Sequence, residues 1–190
     1  GHHRCASAVK VGKKRRAQNP SFDGTEEFNF FLAVAFPENE LAIMDYNRVM
    51  KDLNGYDKDA FIKKMEENFT VEEAPFSPYR PEAKHNFGMF LEEKWYKLTA
   101  KEGTFDENDP VGRLDVSIMQ KNCITPVFGI EDPRTDKRID FVGGIRGLKE
   151  LERRAHTDMK IAFSMYPTSL SDLMAIADAG EVMPPKSTWF

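Results

Sequence analysis

The stretch Asn86-Phe-Gly-Met-Phe-Leu-Glu-Glu-Lys-Trp-Tyr-Lys-Leu-Thr-Ala100 decides the fold. Two runs rich in aromatic and large apolar residues flank the polar Glu92-Glu93-Lys94, which is the pattern of a β-hairpin. Outward from it, strand and helix patterns alternate. Upstream, Phe28 to Phe36 is a nearly unbroken aromatic and aliphatic run bounded by turn residues, and it reads as a buried strand. Leu41 to Met50 is its expected neighbour, reached through Pro37-Glu-Asn-Glu40 and stopped at Asn54-Gly55. Asp57 to Phe69 sets Phe61, Ile62, Met65 and Phe69 at helical spacing, with Asp57 as cap. A proline-rich loop from Ala74 to Pro81 leads into the hairpin. Downstream, an acidic loop (Gly103 to Pro110) precedes a helix at Leu114 to Ile124, a strand at Arg138 to Val142 and a helix at Leu148 to Ala155. Then come a strand at Met159 to Tyr166 and a helix at Ser169 to Ala179, capped by Ser169 or Ser171 and ended by Gly180. At the other end, His2 to about Arg16 reads as a helix with a cationic last turn. The alternation with one hairpin predicts an α/β or α+β fold, a mixed sheet with flanking helices, in a single domain over residues 1–190.

A hydrophobic share of 41%, with 15 Phe, is the composition of a packed globular chain. The balance of 27 Lys+Arg against 31 Asp+Glu leaves a formal charge of −4, which argues against a nucleic-acid grip. Cys5 and Cys123 are far apart and outside metal or disulfide spacing, so a reducing cytoplasm is expected and no metal site is implied. No run is long and apolar enough for a membrane span.

The start, Gly1-His2-His3-Arg4-Cys5-Ala6-Ser7-Ala8, puts a glycine, two imidazoles and a guanidinium where a helix begins. Free N–H groups and the helix dipole favour phosphate there, Arg adds a bidentate partner and His can move a proton. The bland alternative is a tag remnant or frayed end for His2 and His3. Near the other end, Pro184-Pro185-Lys186-Ser187-Thr188-Trp189-Phe190 offers a lysine and two hydroxyls as a phosphate cradle, or simply leads into a strand; the glycines of a P-loop are missing. Asp45-Tyr46-Asn47-Arg48 alternates along a strand. Asp45 and Asn47 then share one face, able to position a hydroxyl substrate, unless that face is merely solvated. The mixed-charge run Gly129 to Asp140 reads as a solvated turn held by ion pairs, with a metal-nucleotide as the alternative. Cys5 reads as a small buried residue, or as a thiol activated at the helix start.

Together, Gly1-His2-His3-Arg4, Asp45-Tyr-Asn-Arg-Val49, Asp109-Pro-Val-Gly-Arg-Leu-Asp115, Asp132-Pro-Arg-Thr-Asp-Lys-Arg-Ile139 with Phe141-Val-Gly-Gly144, and Val182-Met-Pro-Pro-Lys-Ser-Thr-Trp-Phe190 resemble one bacterial and archaeal family. It is the domain-of-unknown-function 1015 family, and the resemblance runs the length of the chain. In that family an N-terminal half precedes an Asp-Gly-His-His-Arg motif and a final strand follows Trp-Phe. The resemblance therefore implies a piece before Gly1 and a short one after Phe190.

The Gly-His-His-Arg motif is also similar to the phosphate loop of the ParB and sulfiredoxin-like superfamily, which includes nucleotide-binding proteins and a free-serine kinase. That resemblance implies nucleotide or phosphate contacts at Gly1, His2, His3 and Arg4, with Lys186, Ser187 and Thr188 completing the cradle. It also implies ATP, ADP or pyrophosphate, with Mg, as the donor. A phosphotransferase acting on a small hydroxyl metabolite such as free serine is then expected, with His3 and Asp45 as candidate catalytic groups and Asn47 and Arg48 on the substrate. The rival reading is a nucleotide-sensing or partner-binding module without turnover. Implied partners are the small substrate, the preceding half of the chain and a homo-oligomer; nucleic acid and membrane are not expected.

Overall fold

The hairpin forms as read. Strands β3 (Asn86–Leu91) and β4 (Lys94–Ala100) pair antiparallel, closing at Leu91 opposite Lys94. Both loop residues are left-handed, Glu92 at φ 47° and Glu93 at φ 66°. A two-residue turn of this hand matches strand twist, yet it normally takes Asn-Gly. Around the two glutamates, Lys58 and Lys160 lie 3.6 and 3.5 Å from Glu92, and His156 meets Glu93.

The computed structural model describes residues 2–190, with side chains from Arg4 onward. The chain divides into two compact units, Gly1–Leu41 and Ala42–Phe190. In the first, α1 (His2–Gln18) ends on Arg15 and Arg16, with Pro20 shortly beyond. Only Gly12 of its described side is buried, because Phe28 approaches so closely that a Cβ there would sit 3.1 Å from the Phe28 carbonyl.

The expected strand from Phe28 to Phe36 does not form. Glu27–Asn29 is a 3-10 turn, the rest is irregular, and Phe30, Phe31, Leu32, Val34 and Phe36 are exposed, Leu32 by 91%. A hydrophobic run becomes a strand only where another strand accepts its backbone bonds, and none of the described residues does so here.

In the second unit, β1 (Tyr46–Met50), β2 (Phe69–Glu73), β3, β4, β5 (Ile139–Gly143) and β6 (Ile161–Met165) form one sheet in the order β2-β4-β3-β6-β1-β5. Every pairing is antiparallel, so the α+β class stands while the sheet is not mixed. Strand β2 goes unread in the sequence because Phe69 also fits the spacing of the preceding helix. That helix, α2 (Lys58–Met65), is capped by Asp57, whose side chain accepts from the Ala60 N–H at 2.9 Å.

The two sheet faces bury different cores. Met50, Met89, Leu98, Ile161 and Phe163 point toward α2 and the helical stretch 115–128, whereas Val49, Phe90, Trp95 and Ala162 pack under α5 (Leu148–Thr157). The 115–128 stretch joins α3 (Asp115–Met119) to α4 (Thr125–Phe128) through a π turn at Gln120–Ile124. Pro126 has no N–H for the Asn122 carbonyl, and Asn68 Nδ2 takes that acceptor instead at 3.1 Å. Helix α6 (Leu170–Asp178) starts in a capping box formed by Ser169 and Asp172. Among the described residues no helix is long and apolar enough to cross a membrane.

Candidate functional site

Alternation along β1 separates the four polar candidates as expected, but neither face is solvated. Asp45 and Arg48 are each 3% exposed and Asn47 is fully buried. On one face the Asp45 carboxylate receives Arg80 at 2.9 Å and Asn47 Nδ2 at 2.5 Å. Asn47 Oδ1 in turn accepts from the Met165 N–H at 2.9 Å, extending the β1–β6 ladder by one rung. Gly144 closes this corner: its N–H donates to the Asp45 carbonyl at 2.8 Å, and a Cβ there would lie 2.7 Å from Asp45 Cγ. Asp45 therefore has its two oxygens engaged by protein groups, which suits a brace rather than a proton acceptor.

On the opposite face Arg48 donates to the Tyr46 carbonyl and, at 3.0 Å, to the Lys186 carbonyl. Its guanidinium stacks over the Phe141 ring, as does the Lys186 ammonium, which also lies over Tyr46. Lys186 itself is left-handed, at φ 58°. The terminal motif thus docks on β1 and β5: Trp189 bridges Met44, packs edge-on to Tyr46 and covers Gly143, where a Cβ would be 2.7 Å from its ring. Ser187 is buried and its carbonyl accepts from Thr168 Oγ1 at 3.0 Å.

Arg48 Nε has no partner and is buried. Arg48 lines an open cleft of about 500 Å³ with Lys121, Gln120, Phe141, Pro184 and Pro185. Burial pushes the Arg48 guanidinium down to about 10, with Tyr46 and Asp115 opposing, so it remains a cation at neutral pH.

A second cavity, of about 240 Å³, lies where the lead into β3, the start of α3 and the start of α6 converge. Asp115 lies in its wall at 8% exposure; Oδ1 accepts from the His85 N–H at 2.9 Å, and Oδ2 has no partner. Burial pushes the Asp115 carboxyl up to about 7, with Asp172 adding to it and the His85 N–H, Lys84 and Arg48 pulling the other way. Beside it, burial raises and Lys84 with Ser169 lower the Asp172 carboxyl, the net being downward; Lys84 sits 2.7 Å away.

Other candidates fall as follows. Gly1 and the side chains of His2 and His3 lie outside the described residues. Arg4 is exposed on the first turn of α1. Cys5, expected to be buried, is exposed, since α1 presents almost all its surface to solvent; Cys123 is the buried thiol, and burial pushes its pKa up. The charged turn is held by ion pairs, Arg134 to Asp132 at 2.9 Å and Arg138 to Asp136 at 3.0 Å. Among the described residues no cluster of three His, Cys, Asp or Glu could hold a metal ion. Sequence reasoning missed Arg80, Lys84, His85 and Asp172. Asp115 stood inside a quoted motif without a role.

No curated protein matches the chain. Among solved structures it is similar to a free serine kinase variant in complex with AMP (16% identity, TM-score 0.47, 77% of this chain and 52% of that one). It is also similar to a free serine kinase variant in complex with ADP (15%, 0.46, 78% and 53%) and to a conserved hypothetical protein from Pyrococcus furiosus (18%, 0.47, 77% and 54%). The chain spans about half the length of these solved chains. A family model, described as a protein of unknown function, matches residues 1–117, more than half of the sequence, and the chain belongs to that family, DUF1015.

Proposed function

We propose that this chain supplies the anion-binding face of a phosphotransferase acting on a small hydroxyl metabolite such as free serine. The observation that carries the reading is Arg48: a buried guanidinium with an unpartnered Nε in a cleft wall that also holds Lys121 and the aromatic Phe141. A buried donor without an acceptor is costly, and a phosphate oxygen would satisfy it. An aromatic and proline wall beside it suits the flat base of a nucleotide.

In this reading the Lys186-Ser187-Thr188 turn, tied to Arg48, meets the phosphates of ATP, ADP or pyrophosphate, with Mg arriving on the donor's phosphates, and the Gly1-His2-His3-Arg4 motif is a phosphate contact within its own unit. The acceptor hydroxyl attacks the terminal phosphorus, the bond to the leaving phosphate breaks, and the hydroxyl proton passes to a general base. Arg48 and Lys186 offset the charge on the transferring group. Asp45 and Asn47 brace the strand that carries Arg48. The preceding half of the chain completes the site.

The test is turnover by the full-length protein with free serine and each donor, reading phosphoserine. Product that falls at least 100-fold in Arg4→Ala supports the assignment. Failure to bind any nucleotide or pyrophosphate in calorimetry would sink it. Nucleotide binding that drives dimerisation without product favours the sensing module instead.

A further inference from the structure

The Asp115 cavity is separate in its lining from the Arg48 cleft, and nothing in the phosphotransferase reading uses it. Its wall holds a carboxylate oxygen, Asp115 Oδ2, that is buried and lacks any donor. That asymmetry is specific: Oδ1 is fixed by the His85 N–H, so the side chain cannot rotate to relieve Oδ2 without breaking an existing bond. A buried acceptor in this state calls for an N–H or O–H donor from outside the protein.

The remaining wall carries both signs: Glu107 lies 3.8 Å from His85, Asp172 holds Lys84, and Arg113 is the cation left over. Arg113, partly buried, donates only to the Glu107 carbonyl at 3.3 Å, and among the described residues it has no ion-pair partner. Lys84 is already neutralised by Asp172. The wall on that side ends at Thr168 and Ser171, beside the start of α6, whose first turn already carries the Asp172 carboxylate in its capping box. Once Asp115 is ionised, one cavity thus offers a carboxylate oxygen without a donor and, at Arg113, a cation without an ion-pair partner among the described residues. Its volume of about 240 Å³ lies below the roughly 300–1,000 Å³ of sites for drug-sized molecules and well above the roughly 30 Å³ share of a single water.

We infer that this cavity binds a small zwitterion of amino-acid size, its ammonium on Asp115 Oδ2 and its carboxylate toward Arg113. The site does not require phosphoryl transfer, because a zwitterion without a hydroxyl satisfies it equally.

The experiment uses the full-length protein at pH 8, where Asp115 is ionised, and reads binding by amide and methyl chemical-shift changes for L-alanine, ethylamine and propionate. L-alanine is expected to bind at least tenfold more tightly than either half-molecule, shifting residues near His85, Asp115 and Thr168. Arg113→Gln and Asp115→Asn should each weaken it at least tenfold, and the partly exposed Arg113 guards against a result that only reflects misfolding. Alanine binding no better than ethylamine or propionate, or surviving both substitutions, would overturn the inference. Alanine cannot accept a phosphoryl group, so the outcome is independent of any serine turnover.

Discussion

Arg48 reaches across 138 positions of sequence to hold the carbonyl of Lys186 at 3.0 Å, tying the first strand of the sheet to the turn near the end of the chain. The same guanidinium also holds the Tyr46 carbonyl.

Arg48→Met removes that tie and leaves two carbonyls in need of donors. The expected cost is roughly 1–3 kcal/mol in urea unfolding, from unsatisfied buried acceptors. Arg48→Lys should recover only part of it, because an ammonium cannot reproduce the fork. Full recovery by lysine would mean the guanidinium geometry is irrelevant.

Gly144→Ala should cost about 1–3 kcal/mol, since a methyl would be driven into the Asp45 carboxylate, 2.7 Å from Cγ. An unchanged unfolding midpoint would show that this corner is looser than described. Arg80→Ala should be less harmful in an Asp45→Asn background than in wild type, because the buried charge it serves is gone.

The hairpin turn can be improved. Replacing Glu92-Glu93 by Asn-Gly places residues that accept the left-handed region where two glutamates now stand, and should stabilise by about 0.5–1.5 kcal/mol. The surrounding ion pairs are exposed enough that their loss subtracts little. A net loss of stability would assign those pairs more weight than the turn.

Asp115 titrates near 7 when folded and at its ordinary 3.8 when exposed, so the folded state holds the extra proton between those values. Stability from this group is therefore highest below pH 4, declines as pH rises toward 7, and is lowest above. Asp115→Asn abolishes the titration. Its stability relative to wild type should rise by roughly 2–3 kcal/mol between pH 5 and pH 8. Parallel pH profiles would count against a protonated Asp115.

Much of the second unit was legible because its signals are local. The hairpin, the Asp57 cap and the Ser169 capping box each involve residues within a few positions of one another. Where two local readings competed, as at Phe69, the tertiary partner decided, and β4 claimed it for the sheet. At Phe28 to Phe36 a strand-like composition met no strand to pair with. The polar sites were legible by residue type on β1, yet their partners were not: Arg80 reaches Asp45 and Lys84 reaches Asp172 only through the folded topology. Nor does any pattern in Leu114-Asp115-Val116 announce that one carboxylate oxygen will be sealed off without a donor.

The strand order has a consequence for synthesis on the ribosome. Strands β2, β3 and β4 are neighbours in sequence and can zip together early, but β3 must then wait for β6, and β1 for β5 and β6, all made much later. Until then the nascent chain carries bare strand edges flanked by Phe87, Met89 and Leu91, the kind of surface that captures other nascent chains or recruits a chaperone. A pause at any point after β3 and β4 have emerged from the ribosome and before β6 has done so would prolong that exposure, so yield of folded protein should depend on codon choice over that interval.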